Sequence, residues 1–218
     1  MISLGRMDRY AVRGRRFLAG LIGKRPSRDA AHFQRMYDAD PDPWHFRSSD
    51  YEQEKYGQSL EALPPRRFGT AFEVGCSIGV LTHLLAPRCS ALLGVDIVEQ
   101  PLRTARAICS DQPWVRFQRM QVPSDWPDEV FDLIILSEVL YFLSKRDVSA
   151  VAERVRSTLD PNGLVLLVNW RGRSGDPCTG DEAAQLFIDR SSAWLEPTVQ
   201  YQGDSYRLDL MHVRQPGT

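Results

Sequence analysis

The stretch Phe72-Glu73-Val74-Gly75-Cys76-Ser77-Ile78-Gly79 closes an apolar run on two glycines. Seventeen residues later a second apolar run, Leu92-Leu93-Gly94-Val95, ends on Asp96. A short buried strand, a glycine turn and a helix let backbone come close to a ligand, because glycine lacks a Cβ and tolerates positive φ. The next parallel strand then delivers an acidic residue about 20 residues on, where a ribose offers its two hydroxyls. A carboxylate accepts both hydrogen bonds, which suits Asp96 to gripping a nucleoside.

The glycine spacing selects among nucleoside cofactors. A dinucleotide site calls for Gly-x-Gly-x-x-Gly with a helix N-terminus aimed at a pyrophosphate. This chain instead has Gly75 and Gly79, with Glu73 two residues before the first glycine. A carboxylate there repels a pyrophosphate and attracts an ammonium or sulfonium group. S-adenosylmethionine carries both and is the expected cofactor. A nicotinamide-dependent oxidoreductase shares the strand-turn-helix and the ribose carboxylate, and a non-catalytic S-adenosylmethionine-binding module shares the whole pattern; both stand as alternatives.

At 218 residues, 43% of them hydrophobic and 25% charged, the chain fits one soluble globular domain. Its longest apolar runs, near Leu133 to Leu136 and Leu164 to Val168, fall far short of the roughly 18 residues that cross a bilayer, so they are expected as buried strands. The net charge of −1 conceals an asymmetry: residues 1–28 hold eight basic side chains against Asp8 alone, +7, which leaves −8 for the remainder. A basic arm on an acidic body is not the spread footprint of a nucleic-acid enzyme, and no nucleic-acid partner is expected. The arm is expected to be solvated and poorly ordered. The apolar piece Phe17 to Ile22 is too short and glycine-interrupted for a signal peptide, so a cytoplasmic location is expected. Cys76, Cys89, Cys109 and Cys178 lie 13, 20 and 69 residues apart with no Cys-x-x-Cys, and no metal site is expected.

Three regions follow: the arm over 1–28, a helical cap over 29–65 and a Rossmann-like domain over 66–218. In the cap, Phe33, Met36 and Tyr37 recur at helical spacing, Asp40-Pro-Asp-Pro breaks the chain, and Tyr51 to Leu63 resumes a helix. From Thr70 onward short apolar runs alternate with helical ones, the sequence form of a parallel sheet covered on both faces. Strands are expected near 71–74, 91–95, 115–120, 131–137 and 163–168, with helices near 80–85, 99–109 and 145–159, the last closed by Asp160-Pro-Asn-Gly. A hairpin over 198–213 ends the chain and makes the sheet mixed.

The Glu73-x-Gly75 turn, Asp96, the Phe131-Asp132-Leu133-Ile134 strand leading into Ser137-Glu138-Val139-Leu140-Tyr141, the Leu159 to Gly163 turn and the closing hairpin together resemble the class I S-adenosylmethionine-dependent methyltransferases. Asp42-Pro43-Trp44, Tyr51-Glu52-x-x-Lys55, Cys76 and Glu138-Val139-Leu140-Tyr141 further resemble the NodS-like branch, whose namesake N-methylates a chitooligosaccharide. The resemblance implies a Rossmann-like, mixed seven-stranded sheet flanked by helices, ending in an antiparallel hairpin and carrying an N-terminal helical cap. It places Glu73 and Gly75 at the cofactor's methionine end, with Cys76, Ser77 and Gly79 as further cofactor-binding residues, Asp96 on the ribose, and Ile97 and Val98 beside the adenine. Met120, Gln121 and Val122 would reach the adenine's far edge, and Ser137 and Glu138 would lie under the methionine moiety. Gln121 stands where many relatives carry an aspartate, and Ala183 and Ala184 stand where some carry a histidine.

Methyl transfer from a sulfonium is an in-line displacement, so positioning supplies most of the catalysis. An amine acceptor needs only to be neutral, whereas a sugar hydroxyl needs a general base. Nitrogen is therefore the expected target, in a small-molecule or oligosaccharide acceptor, with oxygen as the alternative. Glu138 either contacts the acceptor or supports the cofactor's amino group, and Tyr141 either lines the pocket or packs. Trp44, Tyr51, Trp170 and Arg171 are candidates for holding the acceptor, Trp44 as a sugar platform or as a staple between cap and body. Glu52 and Lys55 belong to the helical cap in the resemblance, and their i, i+3 spacing also allows a plain pair on a helix surface.

Overall fold

Two helices, α1 (Ala30–Ala39) and α2 (Asp50–Ala62), precede the sheet in a computed structural model that describes residues 25–215. Most of the basic arm, residues 1–24, lies outside the described residues. Each helix starts on a side-chain cap: Asp29 accepts from the His32 N–H at 2.9 Å and Ser49 from the Glu52 N–H at 3.4 Å. The chain then runs β1 (Phe68–Val74), α3 (Val80–Leu85), β2 (Cys89–Asp96), α4 (Glu99–Ile108), β3 (Val115–Arg119), β4 (Phe131–Ser137), α5 (Lys145–Thr158), β5 (Leu159–Trp170), α6 (Gly180–Ser191), β6 (Leu195–Gln202) and β7 (Tyr206–Val213).

The seven strands form one sheet in the order β3-β2-β1-β4-β5-β7-β6, parallel except for β7, which is antiparallel to its neighbours β5 and β6. The chain builds outward from β1 through β2 to β3, then crosses back to lay β4 on β1's other side. That reversal puts a crevice outside the carboxyl ends of β1 and β4, where open α/β sheets bind ligands. Leu133 to Leu136 are fully buried, because helices cover both faces of the central strands. One face carries Phe72, Val74, Ile134, Leu136, Val165 and Leu167 against Val148, Val151 and Val155 of α5 and Ala183 and Phe187 of α6. The other carries Ala71, Leu92, Leu133, Ile135 and Leu166 against Tyr56 of α2 and Leu81 and Leu85 of α3.

Two local expectations change. Helix α6 adds to the helices expected from periodicity, and its start is encoded. Thr179 Oγ1 accepts from the Glu182 N–H at 3.2 Å while Glu182 accepts from the Thr179 N–H at 2.9 Å, a reciprocal capping box. The Asp160-Pro-Asn-Gly segment does more than close α5: it bulges within β5, since Leu159 pairs with Phe131 but the next matched pair is Leu164 with Leu133. The hairpin strand β7 is buried from Tyr206 through Met211, with the Arg207 guanidinium paired to Asp209 at 2.8 Å inside the sheet's face.

Candidate functional site

The turn after β1 is shaped by three positive φ angles: Gly75 at 76°, Ser77 at 49° and Gly79 at 80°. A Cβ on Gly75 would stand 3.3 Å from Val139, so the turn lies directly against the segment after β4; one on Gly79 would stand 2.8 Å from Ala105, which fixes α3 against α4. The N–H groups of Gly75 and Cys76 both donate to the Val95 carbonyl, at 2.8 and 2.9 Å, clamping the turn onto the end of β2.

Asp96, at that end, is buried. Its Oδ1 accepts from the Val98 N–H at 2.9 Å and its Oδ2 from the Ser77 N–H at 3.2 Å. Each oxygen keeps one acceptor position, the number a ribose diol requires. Burial outweighs these bonds and pushes the carboxyl up to about 6. Glu73 faces α3, where its Oε2 accepts from the Thr82 hydroxyl at 2.6 Å, and burial pushes it up to about 7. Such a carboxyl gains most from a cation brought beside it. Cys76, also buried, is held as a thiol because burial raises it well above its ordinary range. Ile97 is half-buried beside buried Val98, and Met120 is hydrogen-bonded to the Asp96 carbonyl at 2.9 Å. Gln121 is exposed with Val122 half-buried behind it, so these residues form one rim running from Asp96.

Helix α1 roofs this cleft. Tyr37 is 2% exposed and its hydroxyl lies 2.6 Å from Ser77 Oγ, while Gln100 of α4 donates to the Tyr37 carbonyl at 2.9 Å. At the other end of α1, Phe33 meets Phe142 edge-on at 4.9 Å. Trp44 is half-buried, edge-on to Tyr37 at 5.7 Å and stacked on Phe46 at 5.4 Å. It backs the roof.

The second cluster sits past β4. Ser137 is buried, and Glu138 is held at φ 54°, a conformation that persists because its bonds over-determine it. Its N–H donates to the Val168 carbonyl at 2.8 Å. Its Oε1 accepts from Lys55 Nζ at 2.8 Å, and its Oε2 from the Tyr141 hydroxyl at 2.8 Å and the Trp170 N–H at 3.1 Å. Burial and the Glu138 charge keep Tyr141 protonated, as a donor must be. Lys55 does not pair on a helix surface. It is 1% exposed, its Nζ is 2.9 Å from both Glu52 oxygens and lies 4.9 Å from the Tyr51 ring centroid. The i, i+3 spacing gave the Glu52 partner, but Glu138, 83 residues away, comes only from the fold. Arg171 is tied elsewhere: its Nε bonds Asp181 at 3.0 Å and its Nη1 the Gly203 carbonyl at 2.6 Å.

Sequence reasoning missed the Tyr37 hydroxyl, Thr82 and the Lys55 ammonium as parts of these two clusters. Tyr37 was visible only as a packing position, and Thr82 carries no mark beyond its place one turn into α3. Among the described residues no group of His, Cys, Asp or Glu is arranged to hold a metal, and no helix is long and apolar enough to cross a membrane.

Nodulation protein S of Bradyrhizobium diazoefficiens is 35% identical over 119 residues, 53% of this chain and 55% of that protein. Nodulation protein S of Rhizobium tropici is 27% identical over 79% of this chain and 74% of its own. The match to the first thus spans little more than half that relative's length. The solved structure of N-methyltransferase NodS from Bradyrhizobium japonicum WM9 in complex with S-adenosyl-L-homocysteine superposes with a TM-score of 0.73 at 21% identity, covering 85% of this chain and 98% of that one, and shares its fold. The family model for nodulation protein S matches residues 27–174, which include α1, α2, the glycine turn, Asp96 and Glu138. The chain belongs to the nodulation protein S (NodS) family.

Proposed function

We propose that this chain is an S-adenosylmethionine-dependent N-methyltransferase acting on a small-molecule or oligosaccharide amine in the cytoplasm. The observation that carries the reading is the pairing of two buried carboxyls across one glycine turn: Asp96 with one free acceptor position per oxygen, and Glu73 in want of a cation. Membership of the NodS family supports the same cofactor, as does the S-adenosyl-L-homocysteine complex of the solved NodS structure. A dinucleotide fits worse, because its pyrophosphate would meet Glu73.

Bound S-adenosylmethionine would supply an electrophilic methyl group for direct displacement by a neutral acceptor nitrogen, with S-adenosylhomocysteine as the leaving group and the nitrogen's proton released to water. Asp96 grips the ribose, Glu73 faces the ammonium end, and the turn from Gly75 to Gly79, with Cys76 and Ser77, lies along the methionine moiety. Ile97, Val98, Met120, Gln121 and Val122 flank the adenine, and the Tyr37 roof keeps water off the sulfonium side. Ser137 and Glu138 bound the methyl's path. With three donors fixing its carboxylate, Glu138 serves as a fixed wall and counter-charge. Tyr141 holds that wall. The acceptor enters between Tyr51 and Trp170, with Trp44 and Arg171 supporting the cap and the hairpin turn around it.

The test is incubation with methyl-labelled S-adenosylmethionine and a panel of primary amines, amino sugars and phenols. Label on nitrogen is expected; label only on oxygen would replace the N-methyltransferase reading with the O-methyltransferase one.

A further inference from the structure

We propose that the outer edge of β6 pairs antiparallel with the same edge of a second copy of this chain, joining two sheets across a two-fold axis at Tyr201. β6 ends the strand order, so one row of its backbone N–H and C=O groups has no neighbour within the sheet. The two ends of the sheet differ in their side chains. At the far end β3 carries Arg116 and Arg119, with Arg116 paired to Glu129 at 2.8 Å, the kind of charge that keeps an edge from docking. Along β6 the run Pro197-Thr-Val-Gln-Tyr-Gln202 carries no charge, and each of its residues is exposed. Val199 and Tyr201 are 38% and 44% exposed and stand two residues apart, on one face of the strand.

The hairpin fixes which main-chain groups point outward. The Gly203 N–H donates to the Tyr206 carbonyl at 3.0 Å, and Gln202 with Arg207, Tyr201 with Leu208 and Gln200 with Asp209 follow in register. Hydrogen-bonded and non-hydrogen-bonded pairs alternate along an antiparallel ladder. Tyr201 therefore bonds inward to Leu208, whereas the main-chain groups of Gln200 and Gln202 face the open edge. A two-fold axis at Tyr201 sets Gln200 of each copy opposite Gln202 of the other, so outward groups meet outward groups in both pairs. It also sets the two Tyr201 residues against each other in a non-hydrogen-bonded pair, with Cα atoms about 4.5 Å apart and the rings in reach. Moving the axis to Gln200 would oppose Asp204 to Glu196 of the other copy, acid against acid, so charge selects the Tyr201 axis.

A second copy fits this edge better than a foreign peptide does. A peptide would gain the main-chain bonds alone, whereas a copy adds the Tyr201 pair and, with its own uncharged strand, brings no like charge to the axis. Pro197 and the register shift between Pro197 and Val199 blunt the Leu195 end of the strand, which confines the pairing to the end near the turn. So short an interface belongs to the weak class, with an expected dissociation constant on the order of 10⁻⁴ M. Tyr201 lies 5.5 Å from the Tyr206 ring, which is edge-on to Tyr51 at 6.0 Å, so the paired edge stands beside the proposed acceptor mouth. The pairing itself does not depend on the methyltransferase reading.

Sedimentation equilibrium of the full chain, from about 10 μM to about 1 mM, reads the association. The weight-average mass is expected to rise from that of one chain toward that of two. Tyr201→Lys sets like charges on the axis and Gln202→Pro removes an outward N–H; both are expected to stay single at every concentration with melting temperatures near the parent's. Val130→Lys, which changes a 59% exposed apolar residue off this edge, should associate as the parent does. Cross-linking reads the register, against a background of native thiols that are all buried, Cys76, Cys89, Cys109 and Cys178. Air oxidation of Tyr201→Cys should give a covalent dimer, because Cα atoms about 4.5 Å apart lie within disulfide reach, and Gln118→Cys on the β3 edge should give none. A parent that stays single at the highest concentration overturns the proposal and leaves the edge to an extended peptide of another protein. A dimer that survives Tyr201→Lys and Gln202→Pro, or that fails to cross-link through Tyr201→Cys, overturns it as well, since its contact lies elsewhere. Should a variant unfold, the parent's mass and the Tyr201→Cys cross-link decide.

Discussion

The cofactor half of the crevice and its acceptor half are held by different means. Around Gly75 to Gly79 and Asp96, apart from the hydroxyl pair of Tyr37 and Ser77, the bonds are short-range or between the ends of adjacent strands, and most donors are backbone N–H groups. Around Glu138 the bonds converge on one side chain from three places: the Lys55 side chain of α2, the Tyr141 side chain three residues on, and the Trp170 N–H at the end of β5. Backbone donors on a sheet end are set by the fold and keep their places when a side chain changes. A network of side chains loses its geometry when one member goes. The first half is therefore suited to an invariant ligand, the second to tuning for a particular acceptor.

The largest effect that would sharpen this contrast comes from Asp96→Ala. It removes both ribose contacts and should weaken S-adenosylhomocysteine binding by about 3 kcal/mol, roughly two orders of magnitude, while the melting temperature stays near that of the parent. Calorimetric titration alongside a melting curve reads both. Glu138→Gln should behave in the opposite way. Lys55 keeps Glu52 but loses its second counter-charge, so stability should fall by about 2 kcal/mol in urea unfolding while S-adenosylhomocysteine affinity changes by less than about threefold. A Glu138→Gln protein as stable as the parent would break the comparison.

A pH series gives the third effect. Glu73 and Asp96 are raised by burial to about 7 and about 6, so the free protein holds protons there that a cationic ligand must displace. Affinity for S-adenosylmethionine should fall roughly tenfold or slightly more from pH 8 to pH 6, with proton release measurable in buffers of different ionisation enthalpy. The sign for stability is the reverse. A raised folded-state pKa means that these groups favour the free protein fully only below their unfolded values, and that contribution fades as pH rises through about 6 and 7. A pH-independent affinity would contradict the burial of Glu73. The smallest effect belongs to Tyr37→Phe, which removes the bond to Ser77 and should cost about 1 kcal/mol in cofactor affinity by unhooking the roof.

The same division governs what could be seen in the amino acids alone. Gly75, Gly79 and Asp96 are legible because one chain segment and the next strand suffice to place them, and a parallel sheet follows from the alternation of apolar runs, whereas the strand order comes only from the fold. Helix α6 was legible too, through Thr179 and Glu182, but its capping box lies behind a glycine-rich loop that reads as irregular. The Glu52-Lys55-Glu138 contact is not legible by any local rule. Two of its members share a helix face, but the third meets them only after α2 has packed across the carboxyl ends of β4 and β5. Lys55 looked like a surface residue because charged side chains at i, i+3 ordinarily are. Arg171, a candidate for the acceptor, is engaged by Asp181 of the helix that the periodicity did not reveal.

The most direct test is a head-to-head calorimetric titration of the purified chain with S-adenosylmethionine, S-adenosylhomocysteine and NADH. Saturable binding of both sulfur ligands, with none of NADH, is the predicted result. Binding of NADH alone, or of none of the three, would contradict it.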